Sequence, residues 1–571
     1  MSSSNAADSR VLLRILFSVL FTVFGLASCS SGEGHTTTNT TVTGAPTSTI
    51  ASVQAAWAAT PYTSTTPYRS GVITHYCDCA TGAEGSCVVG NNSTGDGSTS
   101  KPYQTIGAAI TKLNSAANGE TVALCKGGAF NATVGLKLNN SSCSAGSTCV
   151  DLREYTPTTF TGTAKPIINN ITSGQNVIQG GSGFRVMNIK VQGNGTGRGL
   201  VIDNAGHDVV FANNDVDYFM HGLFNESANG NTNNTSYVGN HISNSTALGY
   251  LGGGDNHEVS YNYFENNGSN AGPNHQIYIA TGPLVTNLNF IGNYIWGQQG
   301  TSTCGGVMWV GHALTDHLTI KDNYMGVDNS AGSNGCYGIA LTNITANAHA
   351  VGWRHTVISG NTIINPGDYG IATTSCSDCL IENNAIIQTF SPGGLQGAIA
   401  PNFSAERGQD DIGNNVTVRN NSVFTSSNTT WQAVMVLMGN EGTGHVISNN
   451  TMYSQQSSNS TYCLGISGSL SAFTFIDNNI CYRSKGSVIW DKTTGYNLSA
   501  WQNHTSGGLA GGASADAHSL VSDPKFTAAP TNLKPAAGSP LITAGNNTYK
   551  STLDITGKTR PAPPAIGAYE P

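Results

Sequence analysis

One short phrase recurs between about residues 211 and 480: two or three apolar or aromatic residues, an Asn, one further residue, then another apolar or aromatic residue. Its Asn positions are Asn214, Asn240, Asn262, Asn293, Asn323, Asn361, Asn384, Asn421, Asn450 and Asn479, on average about 29 residues apart. A recurring unit too short to close its own core is the mark of a stacked solenoid. The runs Ile291–Ile295, Ile358–Ile363 and Ile447–Met452 are brief, β-prone and bounded by Gly, Asn and Ser. They alternate instead of following a 3.6-residue period, so the unit is built of strands. Strands of successive coils are expected to pair in parallel about 4.8 Å apart. Each repeated Asn then stacks on its copies and satisfies its amide in a ladder of hydrogen bonds. On this reading the ten Asn hold a corner and bind nothing, while loops of unequal length gather on one side and carry function.

Seventy Gly and only 10% charged residues in 571 fit turn-rich β structure and argue against coiled coils or charged disorder. The formal charge of −8 offers no basic footprint for nucleic acid. The few cations also disfavour a highly charged polyanion as ligand. Arg10 and Arg14 precede an apolar run from Ile15 to Leu26, the pattern of a signal peptide over residues 1–28. That segment carries Asp8, Arg10 and Arg14, so its removal leaves −9. Leu26-Ala27-Ser28-Cys29 resembles a bacterial lipobox, which implies lipidation at Cys29, and Ser30 beside it points to the outer membrane or cell surface. The twelve other Cys are an even number, as expected of disulfides in an exported chain. Cys304 with Cys336 and Cys463 with Cys481 lie in neighbouring coils, where a bridge is expected. Cys77-Asp78-Cys79 and Cys376-Ser377-Asp378-Cys379 lack a second pair at zinc spacing, so disulfides are favoured over metal ligands there.

Residues 29–67 read as a Ser/Thr-rich flexible tether and 68–571 as one folded domain. Near 103–117, Ile106, Ala109, Ile110 and Leu113 fall at helical spacing, and Gly119–Leu124 then begins a strand. This opening resembles that of the pectate-lyase-like right-handed parallel β-helix superfamily, where a short helix covers the first coil. Asp523-Pro524-Lys525-Phe526, Gly538–Gly545 and Ile566–Glu570 resemble closing segments of bacterial extracellular members. The resemblance implies an all-β fold: a single right-handed parallel β-helix with an N-terminal capping helix, regular coils over about 180–490 and a closing segment over about 508–571. It says little about chemistry, because the fold hosts lyases, glycoside hydrolases, epimerases, esterases and non-enzymatic adhesins.

A second phrase recurs after each Asn: His221-Gly222-Leu223-Phe224, Leu248-Gly249-Tyr250-Leu251, His275-Gln276-Ile277-Tyr278, Tyr337-Gly338-Ile339 and Tyr369-Gly370-Ile371 among others. Alternation turns Ile277, Ile279, Met308, Val310, Ile339 and Leu341 inward and His275, Tyr278, Trp309, Tyr337 and Tyr369 toward solvent. His221 and Phe224 fall in the same outward columns. Aromatic rings on a rigid face suit the apolar faces of sugar rings. His221 and His275 are the candidates for proton transfer, with Tyr337 or Tyr278 as partner acid and Arg354 and Arg407 to neutralise a uronate carboxyl. Phe224, Tyr278, Trp309, His312, Tyr369 and Arg407 are the candidate substrate contacts. A hydrolase would instead need two carboxyl groups, available among Glu226, Asp255, Glu406, Asp410 and Asp411, with no pair singled out by spacing. The dense Asp cluster of many calcium-dependent pectate lyases is missing, and calcium or another cofactor stays open. His317 and His355 each stand six residues before a ladder Asn, the place of Asp208 and Asn256 in other coils, which marks a turn. The expected function is a surface-attached polysaccharide lyase acting by β-elimination on a uronic-acid-containing glycan. The alternatives are a glycoside hydrolase and a non-catalytic glycan-binding or adhesive protein. The expected partner is an extracellular polysaccharide, bound by a monomer that meets the membrane only through its lipid anchor.

Overall fold

The computed structural model describes residues 66–571 except 141–148, 227–231, 269–273, 281–283, 299–303, 311–313, 327–336, 342–351, 367–368, 390–396, 402–412, 427–435, 439–441, 457–460, 467 and 492–493. The expected signal peptide, Cys29 and the tether up to residue 65 lie outside the described residues. Among the described residues, no helix is long and apolar enough to cross a membrane.

Each coil repeats one route. From Asn214 the chain enters Asp215–Asp217, crosses to His221–Asn225, turns into Asn233–Val238 and returns to Asn240. Strands equivalent to His221–Asn225 stack as sheet I, those equivalent to Asn233–Val238 as sheet II, and those equivalent to Asp215–Asp217 as sheet III. All pairing within these sheets is parallel, as in Phe211↔Tyr237, Tyr237↔Val259 and Val259↔Phe290 of sheet II. The 15-residue strand Arg198–Ala212 joins sheets I and II around their shared corner, pairing with His221–Asn225 at one end and Asn233–Val238 at the other. The fold is therefore a single parallel β-helix. Alternate side chains enter its interior and form columns in register: Val216, Ile242, Phe264 and Ile295 from sheet III are all fully buried. Burying such columns is the main driving force, at roughly 25 cal/mol per Å² of apolar surface.

The Asn corner follows the expected pattern. Asn293 donates from Nδ2 to Asn323 Oδ1 at 3.0 Å and to Val259 O at 2.8 Å, while its own Oδ1 accepts Asn262 N at 3.0 Å and Nδ2 at 3.1 Å. The same linkage runs from Asn214 to Asn479. The residue before each ladder Asn has positive φ, for example Asn213 at 53°, Gly292 at 65° and Asn383 at 55°. Asn and Gly tolerate that left-handed conformation best, which explains the frequent Asn-Asn and Gly-Asn pairs. The parallel coils begin well before 180, since Ile73–Tyr76 already pairs with Thr121–Cys125, which pairs with Val150–Tyr155. These early coils lack the ladder Asn: the next backbone above Asn214 is Ile189, whose N–H donates to Asn214 Oδ1. The repeat phrase thus starts later than the fold.

Both ends are closed. Helix α1, Ile106–Asn114, is capped by Thr105 and buries Ile106, Ala109, Ile110 and Leu113 over the first coils, covering strand edges that would otherwise invite pairing. At the far end the ladder stops on a residue that the sequence pattern did not reveal. Asp516 is fully buried and accepts from Trp490 Nε1 at 2.7 Å, Trp501 Nε1 at 2.8 Å, Ser519 Oγ at 2.5 Å and Asn479 Nδ2 at 3.3 Å. Burial pushes this carboxyl up to about 6 against those donors. The closing segment then lies along the outer face of sheet III, where Leu533, Phe526 and Tyr569 pack on Ile387 and Phe424. A buried Arg560–Glu570 ion pair at 2.6 Å and an Arg560 Nη2 bond to Asn383 at 2.8 Å anchor it.

Disulfides join Cys77 to Cys125, Cys79 to Cys87, Cys376 to Cys379 and Cys463 to Cys481. The Cys77 and Cys376 motifs are therefore bridges. Cys336, the expected partner of Cys304, lies outside the described residues.

Candidate functional site on sheet I

The second residue of the recurring phrase is Gly in most coils for a steric reason. A Cβ on Gly222 or Gly249 would overlap the carbonyl or side chains of the adjoining coil, and Gly338 and Gly370 are confined in the same way. The pattern turns the preceding residue out of the sheet and the following one in. In the coil of His275 a Gln replaces the Gly. Gln276 is buried and its amide is absorbed by Asn267 Nδ2 at 2.7 Å and by the Gly297 carbonyl.

The outward columns are in register as expected: Arg198 beside His221, His221 beside Leu248, and Phe224, Leu251, Tyr278 and Trp309 in line. The His221 ring stacks on Phe224 with centroids 5.7 Å apart and planes at 17°. His275 repeats this on Tyr278 at 5.2 Å and 13°. The coil between them carries Leu248 and Leu251, so the two pairs are about 10 Å apart along the axis, twice the coil spacing. Arg198 lies over the Phe224 ring at 3.5 Å and pairs with Glu226 at 2.6 Å. His221 Nδ1 is buried and has no hydrogen-bond partner among the described residues. Burial, helped by the charge of Arg198, lowers the His221 pKa to about 4, so the ring is neutral at physiological pH. Burial also pushes the Tyr278 phenol up to about 12, keeping its proton in place.

Two side chains expected to face solvent are covered. His275 and Tyr369 leave the sheet on its outer side yet are 7% and 1% exposed. Side chains in register one coil apart cover one another's faces, so an outward direction does not give exposure. Tyr369 stacks on Tyr337 at 5.6 Å and packs on Ala372 and Ala400. One face of Phe224 is likewise occupied by the Arg198 guanidinium and is not an open platform for sugar.

Other candidates lie elsewhere. Arg354 stands on sheet II, in register with Asp316 and Ser377. Asp255 accepts Thr286 N at 2.7 Å and Oγ1 at 3.2 Å, tying two coils of sheet II together. Glu226 is engaged by Arg198. His312, Glu406, Arg407, Asp410, Asp411 and the side chain of Trp309 lie outside the described residues. Sequence reasoning missed Arg198, whose signal was its place one coil before His221 in the outward column. It also missed His257, fully buried and bonded to Tyr250 Oη at 2.9 Å and Thr235 Oγ1 at 2.6 Å. Alternation from Val259 would have placed His257 inside. Burial lowers its pKa to about 3.

No family model and no curated protein matches the chain. Among solved structures it is similar to the Dettilon tailspike protein, with 14% identity, a TM-score of 0.40 and coverage of 63% of this chain and 64% of that one. A pectate lyase, Pel9A, shows 13% identity and a TM-score of 0.34 over 88% of this chain and 97% of that one. A PL6-family alginate lyase, AlyGC, shows 14% identity and a TM-score of 0.42 over 69% and 52%. The chain thus spans less than two thirds of the tailspike and about half of the alginate lyase. At this identity the likeness is one of fold, and the fold stands on the pairings described above.

Proposed function

We propose that this protein acts on an extracellular polysaccharide and cleaves it by β-elimination at a uronic acid. The observation that carries this reading is His221: a histidine neutral through burial, with an unpartnered Nδ1, set beside the cation Arg198. A uronate carboxylate would exchange with Glu226 for the guanidinium of Arg198, and its neutralised charge would make the proton on C5 removable. His221 takes that proton, the electron pair forms the C4–C5 double bond, and the bond from C4 to the bridging oxygen breaks. The imidazolium then returns its proton to the departing oxygen. Tyr278, two coils on, would hold a neighbouring sugar through its hydroxyl, with His275 stacked behind its ring. Tyr337, half-buried on the same outer face of sheet I, belongs to the same proposed groove.

The test incubates the purified protein with a panel of uronic-acid polysaccharides. Ultraviolet absorbance of an unsaturated uronate supports elimination, new reducing ends without it replace the reading with hydrolysis, and neither leaves a binding protein. Turnover should vanish in His221→Ala and Arg198→Ala with the fold intact. Surface attachment through Cys29 is part of this proposal, supported by the disulfides, which persist in oxidising compartments. Labelling of the protein by a fatty acid should be lost in Cys29→Ser.

A further inference from the structure

We propose that the corner within sheet II holds a transition-metal ion between Asp316, His317 and His355. In this corner successive coils place one residue at positive φ, including Asn256 at 46°, Asn287 at 56°, His317 at 60°, His355 at 48°, Asp378 at 52° and Asn415 at 54°. Where the corner carries amides, each Nδ2 finds its own acceptor in the adjoining coil, as from Asn287 to Asn256 at 2.9 Å and from Asn415 to Asp378 at 2.9 Å. The two histidines break this one-to-one pattern. His317 Nδ1 lies 2.9 Å and His355 Nδ1 2.6 Å from the same oxygen, Asp316 Oδ1, with the rings 4.9 Å apart at 24°. Two imidazole nitrogens from adjacent coils therefore converge on one carboxylate oxygen, and the three atoms lie within 4.8 Å of one another.

Two nitrogens and one oxygen are the donor set of zinc, nickel and copper sites, whereas calcium and magnesium want oxygen alone. Ligand atoms about 2.0–2.2 Å from a tetrahedral ion stand about 3.4 Å apart, so the two imidazole nitrogens must each draw back from Asp316 Oδ1 by roughly 0.5–0.8 Å. They are free to do so, because the His317 and His355 side chains are 60% and 51% exposed. The second nitrogen of His355 faces Asp378 Oδ2 at 3.8 Å. A carboxylate behind a ligating imidazole fixes its tautomer and orientation, the usual support of a metal-bound histidine. Three protein ligands leave a fourth position open to water or a ligand.

The site is independent of the sheet I chemistry, and its test does not read activity. The chelator-treated full chain is titrated with zinc chloride by calorimetry. One zinc per chain is expected, with the dissociation constant rising at least about tenfold in His355→Asn and in His317→Asn. Both variants restore the Asn found in this corner at Asn287 and Asn415, so their melting temperatures without metal should match that of the parent. A smaller loss is expected in Asp378→Asn. Nickel should compete with zinc, and calcium should not. Absence of zinc binding, or binding retained at full affinity in both histidine variants, overturns the proposal.

Discussion

The Asn corner and the outer face of sheet I are built from the same coils and obey different rules. At the corner each interior Asn occupies one backbone-defined position, and its amide is consumed by the coils on either side. On the outer face equivalent positions hold Arg198, His221 and Leu248 in turn, and a buried nitrogen of His221 is left unpartnered. A repeating backbone dictates what it encloses and leaves outward positions to vary, so function is sought where the repeat is broken. The sheet II corner shows both behaviours: amides at Asn234, Asn256, Asn287 and Asn415, and two histidines on one carboxylate in between.

This contrast can be broken by mutation. Asn293→Ala strands the donors of Asn262 and Asn323 loses its incoming amide bond, together with the Val259 carbonyl. Each orphaned buried group costs about 1–3 kcal/mol, so unfolding in denaturant should show a loss of roughly 4 kcal/mol. Next comes Asp516→Asn, which brings an N–H₂ into a pocket lined by two indole N–H groups, a hydroxyl and an amide donor. About 3 kcal/mol should go, with hydrogen exchange rising first in the last coils. A small change in either variant would mean that the ladder is decoration on an apolar core.

The pH dependence sharpens the same comparison. His221 and His257 have folded pKa values near 4 and 3, below the ordinary 6.5. The unfolded chain therefore binds protons first, and stability is lost as pH falls below about 6.5, by at most about 3 kcal/mol per ring at pH 4. Asp516, raised to about 6, works in the opposite sense, since the unfolded chain releases its proton first and stability is lost as pH rises from about 4 to 6. Melting in His257→Gln should lose much of the acid-side slope, and Asp516→Asn should remove the opposing one. A smaller effect on stability belongs to His221→Ala, expected within about 1 kcal/mol of the parent because the ring is only partly buried. Its effect on turnover should be total, and a variant that keeps full activity would make the sheet I face scaffolding.

Much of the architecture was legible because a solenoid writes its geometry into a period. Ten Asn in one recurring phrase foretold a ladder, four apolar residues at helical spacing foretold α1, and alternation in the second phrase foretold the register of Leu251, Tyr278 and Trp309. Less of the site was legible. His275 and Tyr369 point outward and are still buried, because exposure depends on what the neighbouring coils stack above them. Arg354 joins sheet II and not the sheet I face of the histidines, since distance along the chain within one coil does not tell which of the three sheets a residue joins.

What the sequence determined by itself is the inside of this protein: the strand period, the amide ladder and the covered first coil, all of which follow from backbone hydrogen bonding that each coil must repeat. The tertiary structure alone decided the meetings between coils. Asp516 under two tryptophans, Arg198 over Phe224 beside His221, and one Asp316 oxygen between two imidazoles each join residues from different coils. Such contacts depend on the stacking of whole coils and carry no period for a sequence to display.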